Sequence, residues 1–189
     1  MEEKLLIGIT GASGAVYAWK LLKILKEIPV RVEVIITEAG KLVFKHELEK
    51  DWMELHSLAE RVYEEREISA PPASGSAPYW GMIIIPCSMG TLGGLASGQT
   101  RNLLLRAGDV VLKERKPLVL VVRETPLNLI HLQNMVTLTL AGAIIFPAMP
   151  GFYSKPKDLE GLIESFVTRL LSFLKLKDYT HQWQGLEDD

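Results

Sequence analysis

Short runs of aliphatic and β-branched residues recur along this chain, and most stop at glycine, hydroxyl or charged residues. Residues 5–9, 31–37, 81–85, 118–122 and 143–146 are such runs. They are too short for helices and apolar on both faces, which predicts buried strands, the third of them stopped by Pro86. Helical spacing fills the intervals at 16–25, 41 to about 61, 100–115 and 127–141. The 127–141 segment is apolar nearly all round, which predicts a buried helix. Residues 157–174 are the clearest amphipathic helix, with Leu159, Leu162, Ile163, Phe166, Val167, Leu170, Leu171 and Leu174 on one face. Strands alternating with helices, the strands apolar on both faces, predict an α/β fold with a parallel sheet between two helical layers. A length of 189 residues suits one domain spanning 1–189, with a polar tail from about residue 176 that carries Tyr179 and Trp183 as docking points.

Composition narrows the function classes. A net charge of −2 gives no bulk attraction to nucleic acid or to anionic membrane, so phosphate binding must come from a local cluster of cations. The single cysteine, Cys87, permits no intramolecular disulfide, and no Cys/His cluster has zinc spacing. The apolar stretch at 5–9 is too short for a signal segment or a membrane span, so the expectation is a cytoplasmic protein without a metal.

In open parallel sheets ligands bind beyond the carboxyl ends of the strands. The segments expected there are 10–14, Thr37, 86–91, 123–125 and 147–153, and they are polar, glycine-rich or charged. Gly8, Gly11 and Gly14 join a strand to a helix, a place where backbone N–H groups bind phosphate, and Ser13 adds a hydroxyl. The spacing differs from the dinucleotide fingerprint. Glu38, just after the second strand, could hold ribose hydroxyls in a nicotinamide enzyme. The Tyr-x-x-x-Lys pair such an enzyme needs matches only Tyr153 and Lys157, with Pro156 between them. Cys87 has no neighbouring histidine and reads as a buried small residue. His131 reads as a hydrogen-bonded core residue. Arg106 and Lys113, both on the helix expected at 100–115, and Arg123 and Arg169 from two other elements would make a site for a small phosphate ester if they converge. Glu47 and Glu124 are candidate proton-handling groups, although Glu47 alone reads as an exposed helix residue.

Seven segments taken together resemble one family. They are TGASGA at 10–15, APPASGS at 70–76, PCSMGT at 86–91, NLLLRAGDVVLK at 102–113, VRETP at 122–126, IHLQNM at 130–135 and PGFYSKP at 150–156. In this order, over about residues 5–175, they resemble the UbiX-type flavin prenyltransferases, formerly labelled aromatic-acid decarboxylases. The resemblance implies a flavodoxin-like, Rossmann-like fold and a homo-oligomer, a dodecamer. It implies a metal-free reaction in which a dimethylallyl group passes from dimethylallyl phosphate to N5 and then C6 of reduced FMN. The product, prenylated FMN, serves a UbiD-type decarboxylase. By position, FMN would lie against Gly11, Ala12, Ser13, Thr37, Ser88, Met89, Gly90, Thr91 and Arg123. Lys113, Arg123, Tyr153 and Arg169 would hold the dimethylallyl phosphate. Ser13 and Glu124 would handle protons near that phosphate, Glu47 would assist ring closure, and Arg106 would reinforce the site. Where some relatives have a tryptophan before the APP loop this chain has Ile68, leaving Tyr79 or Trp80 as candidates to cover the prenyl group. The alternatives are an FMN-binding carrier and a direct aromatic-acid decarboxylase. A flavodoxin-like cysteine decarboxylase, which shares a PCS-like loop, is disfavoured by the RETP and FYSKP segments.

Overall fold

A computed structural model describes residues 4–178 and Gly185. Tyr179 and Trp183 lie outside the described residues. The chain divides into two compact units, Met1–Pro147 and Ala148–Asp189.

The first unit is a six-stranded, wholly parallel sheet. Its strands are β1 (Lys4–Ile9), β2 (Arg31–Ile36), β3 (Arg61–Glu64), β4 (Tyr79–Cys87), β5 (Leu118–Val122) and β6 (Ile144–Ile145), in the order β3-β2-β1-β4-β5-β6. Five of the six follow the apolar runs. The exception, β3, has the sequence RVYE and begins at Arg61, where the stretch expected to be helical ends. That stretch instead breaks into α2 (Glu38–Leu48) and a 3-10 turn at Trp52–Ser57, with this edge strand directly after them. Four residues, two of them charged, carry too little periodicity to announce a strand.

Alternation along the strands covers both faces. Leu6, Ile35, Met82, Ile84, Leu118 and Leu120 join one cluster with Leu92 and Leu95 of α3 (Met89–Ala96) and with Leu103, Leu104, Ala107 and Val111 of α4 (Leu103–Lys113). Their neighbours Leu5, Ile7, Val34, Ile83 and Val119 point the other way and are fully buried as well. The side bearing α1 (Ala15–Leu25) presents Leu21, Leu22 and Leu25, also fully buried. At roughly 25 cal/mol per Å², burial of such side chains dominates the stability of the sheet.

Pro86 lies within β4 rather than ending it, following a cis peptide bond from Ile85. At the amino-terminal edge the buried carboxylate of Glu33 accepts hydrogen bonds from Lys4 Nζ (2.5 Å), Tyr63 Oη (2.9 Å) and Tyr79 Oη. Burial acts to raise the Glu33 pKa, but Lys4 and the two phenols outweigh it and hold the carboxyl below its usual range. Tyr79 is thereby committed to the core. With Trp80 it opens β4 at the edge remote from the carboxyl ends, so neither covers a ligand there within one chain.

The helix at 127–141 forms as α5 (Leu129–Ala141), capped by Asn128, but it is not buried. Only Leu138 is in the core, while Leu129, Ile130, Val136 and Leu140 are exposed, Leu140 at 84%. All-round apolarity marked a helix that is to be covered without saying by what. His131 is half-buried and completes the α5 cap, its Nδ1 accepting from Asn128 N–H at 3.4 Å.

The second unit contains α6 (Leu159–Phe173), started by Asp158, whose side chain accepts from Gly161 N–H. Ahead of it, Ser154 Oγ lies 3.3 Å from Ser165 Oγ of α6. Residues 153–157 form a turn rather than a helix, so Tyr153 and Lys157 are not spaced along a helix face as a dehydrogenase pair requires.

Candidate active site

The strand order reverses between β1 and β4, and the loops after these two strands meet at their carboxyl ends. Thr10 closes the seam. Its buried hydroxyl donates to the Pro86 carbonyl at 2.6 Å and accepts from Ser88 N–H at 2.9 Å. From this point the site opens in two directions.

On one side the chain turns through Gly11–Gly14 into α1. Gly14 is the N-cap, with φ of 113°, a left-handed conformation that favours glycine. The first N–H groups of α1 are already occupied. Glu47 Oε2, from α2, accepts from Gly14 N–H and Ala15 N–H, each at 2.9 Å, and the Ser13 hydroxyl also donates to Glu47. Burial pushes the Glu47 pKa upward, but these donors and the positive charge of Arg123 hold it below the usual carboxylate range. Arg123 follows β5, and its charge also acts on Tyr17 of α1. Ser13, Glu47 and Arg123 therefore share one locality, and Glu47 is engaged rather than idle on a helix surface. A phosphate at the start of α1 would have to displace a carboxylate, so the glycine turn is not the phosphate cradle that its pattern alone suggests.

On the other side three helices begin around one cavity of about 280 Å³, lined by Thr10, Gly11, Thr37, Ser88, Thr91 and Arg101 among others. Each helix is capped by a side chain: Thr37 accepts from Gly40 N–H, Ser88 from Thr91 N–H and Asn102 from Leu105 N–H. Gly11 has no room for a side chain, since a Cβ there would stand 2.5 Å from Ala39 Cβ. Hydroxyls, helix N-termini and a guanidinium form a donor set suited to a phosphate and a polyol.

Gly11, Ser13, Thr37, Ser88, Gly90, Thr91, Arg123 and Glu47 thus gather at the carboxyl edge, joined through Thr10 and Ser88. Ala12 and Met89 lie in the same two loops, and Glu124 is exposed beside Arg123. Lys113 and Arg106 do not join them within one chain. Both lie on α4, which starts at the cavity and runs away from it for about 16 Å at 1.5 Å per residue. Lys113 pairs with Glu114 next to the loop at Gly75, and Arg106 Nε donates to the Ala73 carbonyl at 3.1 Å. Arg106 also pairs with Asp109 at 2.8 Å, so it braces the APP loop. Tyr153 and Arg169 belong to the second unit. Cys87 is fully buried and its thiol is pushed up to about 12, which keeps it protonated and inert.

Sequence reasoning missed Glu65 and Asn102. Glu65 Oε1 accepts from Glu38 N–H at 3.2 Å and its Oε2 from Asn102 Nδ2 at 2.8 Å, tying the starts of α2 and α4 together across the cavity wall. The signal available was an Asn immediately before an apolar helix, the mark of an N-cap. No sequence signal pointed to Glu65, because it follows the unrecognised strand β3.

A parallel sheet with hydroxyl-capped helices at its switch point defines a mononucleotide-binding α/β protein. Comparison with known proteins narrows the class. Residues 1–170 match the Flavoprotein family. The flavin prenyltransferase UbiX of Methanocaldococcus jannaschii is 43% identical over 171 residues, covering 90% of this chain and 92% of that protein. The crystal structure of AnUbiX (PadA1) in complex with FMN and dimethylallyl pyrophosphate superposes with a TM-score of 0.94 at 39% identity, covering 99% of this chain and 100% of that one. The dodecameric FMN-dependent UbiX-like decarboxylase from Escherichia coli O157:H7 superposes with a TM-score of 0.93, also at 39% identity, covering 96% and 100%. The chain belongs to the UbiX-type flavin prenyltransferase family.

Proposed function

We propose that this protein transfers a dimethylallyl group from dimethylallyl phosphate to reduced FMN, giving prenylated FMN for a UbiD-type decarboxylase. The observation that carries the reading is the grouping of Glu47, Ser13 and Arg123 at the β1/β4 switch point, in a chain of this family. Reduced FMN supplies N5 and C6 as the positions that receive the prenyl carbons, and inorganic phosphate leaves as the allylic C–O bond breaks.

Arg123, Tyr153 and Arg169 hold the phosphate ester, and the fixed cations stabilise charge that builds on the leaving group. Ser13 and Glu124 pass protons near that phosphate. Glu47, held ionised by its three donors, accepts the proton released at C6. Gly11, Ala12, Thr37, Ser88, Met89, Gly90 and Thr91 seat the flavin. Lys113 binds the same phosphate but stands at the far edge of its own sheet, so a neighbouring copy has to deliver it. The exposed apolar residues of α5 support such an assembly, and a dodecamer is the expected size. Family similarity runs across both compact units, which supports one functional domain over 1–189. Among the described residues no helix is long and apolar enough to cross a membrane.

Anaerobic incubation of the pure protein with reduced FMN and dimethylallyl phosphate, followed by mass spectrometry of the released flavin, tests the reading. One added C5 unit is expected. Unchanged FMN with both the monophosphate and the diphosphate would leave a flavin carrier. Carbon dioxide release from an aromatic acid by the protein alone would point to a decarboxylase.

A further inference from the structure

The residues lining the cavity at the starts of α2, α3 and α4 include one cation, Arg101. Sequence spacing placed it inside the helix expected at 100–115. It instead stands immediately before Asn102, the N-cap of α4, on the rim where four hydroxyl residues, Thr10, Thr37, Ser88 and Thr91, face the cavity. Its guanidinium is exposed, and among the described residues it makes no hydrogen bond or ion pair. The nearest cavity acid, Glu65, already accepts from Glu38 N–H and Asn102 Nδ2. The competing anion site at the start of α1 is filled by Glu47. Three capped helix N-termini, a row of hydroxyls and an uncommitted guanidinium thus surround one opening. The cavity, about 280 Å³, falls just below the roughly 300–1,000 Å³ of pockets that take whole ligands. It suits a phosphate and the polyol attached to it better than a three-ring system.

We propose that Arg101 binds the phosphate of FMN in this cavity and makes the protein select FMN over riboflavin. The proposal rests on the reading that the protein uses FMN. A guanidinium presents paired N–H donors that match two phosphate oxygens, and helix N-termini add favourable potential for a dianion. Riboflavin offers a hydroxyl at that position and gains nothing from the charge. Arg101 is thus a determinant of which flavin enters, separate from Arg123 at the reacting end.

The test compares wild type, Arg101→Gln and Arg101→Lys by flavin fluorescence titration with FMN and with riboflavin, and runs prenyl transfer on the same preparations. Removing one charge-assisted contact is expected to weaken FMN binding roughly tenfold, with riboflavin binding unchanged and Lys restoring part of the loss. An FMN affinity within twofold of wild type, or an equal loss for both flavins, overturns the assignment. Wild-type transfer alongside either of those results removes Arg101 alone. Selective loss of FMN binding in a protein that shows no transfer keeps Arg101 and removes the prenyltransferase reading. A wild type that binds neither flavin removes both.

Discussion

Replacing Glu47 with Gln separates two jobs that one carboxylate performs. Structurally, Glu47 accepts two backbone N–H bonds at the start of α1 and a third bond from Ser13. Hydrogen bonds to a charged group are worth about 1.5–3 kcal/mol, against about 0.5–1.5 kcal/mol for neutral ones. Three such differences sum to about 3 kcal/mol, and the exposure of the side chain cuts this to roughly 1 kcal/mol by solvent screening. For a chain of this size that is a fall of about 2–4 °C in Tm. Chemically, Gln cannot accept the C6 proton, and loss of a positioned base costs about 10²–10⁴-fold in rate. Thermal melts and anaerobic single-turnover prenylation read the two effects separately. A small fall in Tm with a hundredfold or greater loss of turnover is expected. Turnover within tenfold of wild type would refute the proton-accepting role, and an unchanged melt would refute the capping argument.

Other residues give sharp expectations. Glu33→Gln leaves Lys4, Tyr63 and Tyr79 without their buried carboxylate and should cost about 3 kcal/mol in urea unfolding; a loss below about 1 kcal/mol would mean the network is dispensable. Glu33 and Glu47 both have depressed pKa values, so their contribution is complete above the unfolded carboxylate value of about 4.3 and is lost as pH falls through the folded value. Acid titration of wild type and Glu33→Gln should therefore converge at low pH. Gly11→Val forces Ala39 away from a Cβ placed 2.5 Å from it, so FMN affinity should drop and stability fall by about 1–3 kcal/mol; a neutral result would mean that α2 moves freely. Leu140→Lys, on the exposed face of α5, should leave the monomer fold intact by circular dichroism but yield a smaller species in light scattering.

The core was readable because the central strands are long enough and apolar enough to carry their own signal. Ile7, Ile35, Ile83 and Leu120 are fully buried where the apolar runs place them. The edge was not readable. In β3, Val62 and Tyr63 face the core but are flanked by Arg61 and Glu64, and a pair of inward residues has no period to detect. That lapse also hid Glu65, since a residue's place at the carboxyl edge is known only once its strand is known. The glycine turn misled for a different reason. Its shape suits an anion, and an anion is there, but it is Glu47 of the same chain, brought from more than thirty residues away by the packing of α2 on α1. Local pattern specifies the kind of group that a helix start will accept and leaves its source open.

The same distinction governs the cations. Arg123 and Arg101 stand at the carboxyl edge because one follows a strand there and the other precedes a helix that starts there. Lys113 ends that same helix, and a helix of eleven residues carries its last side chain to the opposite edge. No rotamer of a lysine spans such a gap, so its share in phosphate binding requires a second copy whose α4 terminus meets the carboxyl edge of the first. An assembly-breaking change on α5 should therefore abolish prenyl transfer while leaving FMN binding nearly intact, because the flavin loops belong to one chain and Lys113 does not reach them. Full transfer by a monomeric Leu140→Lys variant would show that Lys113 takes no part in the reaction.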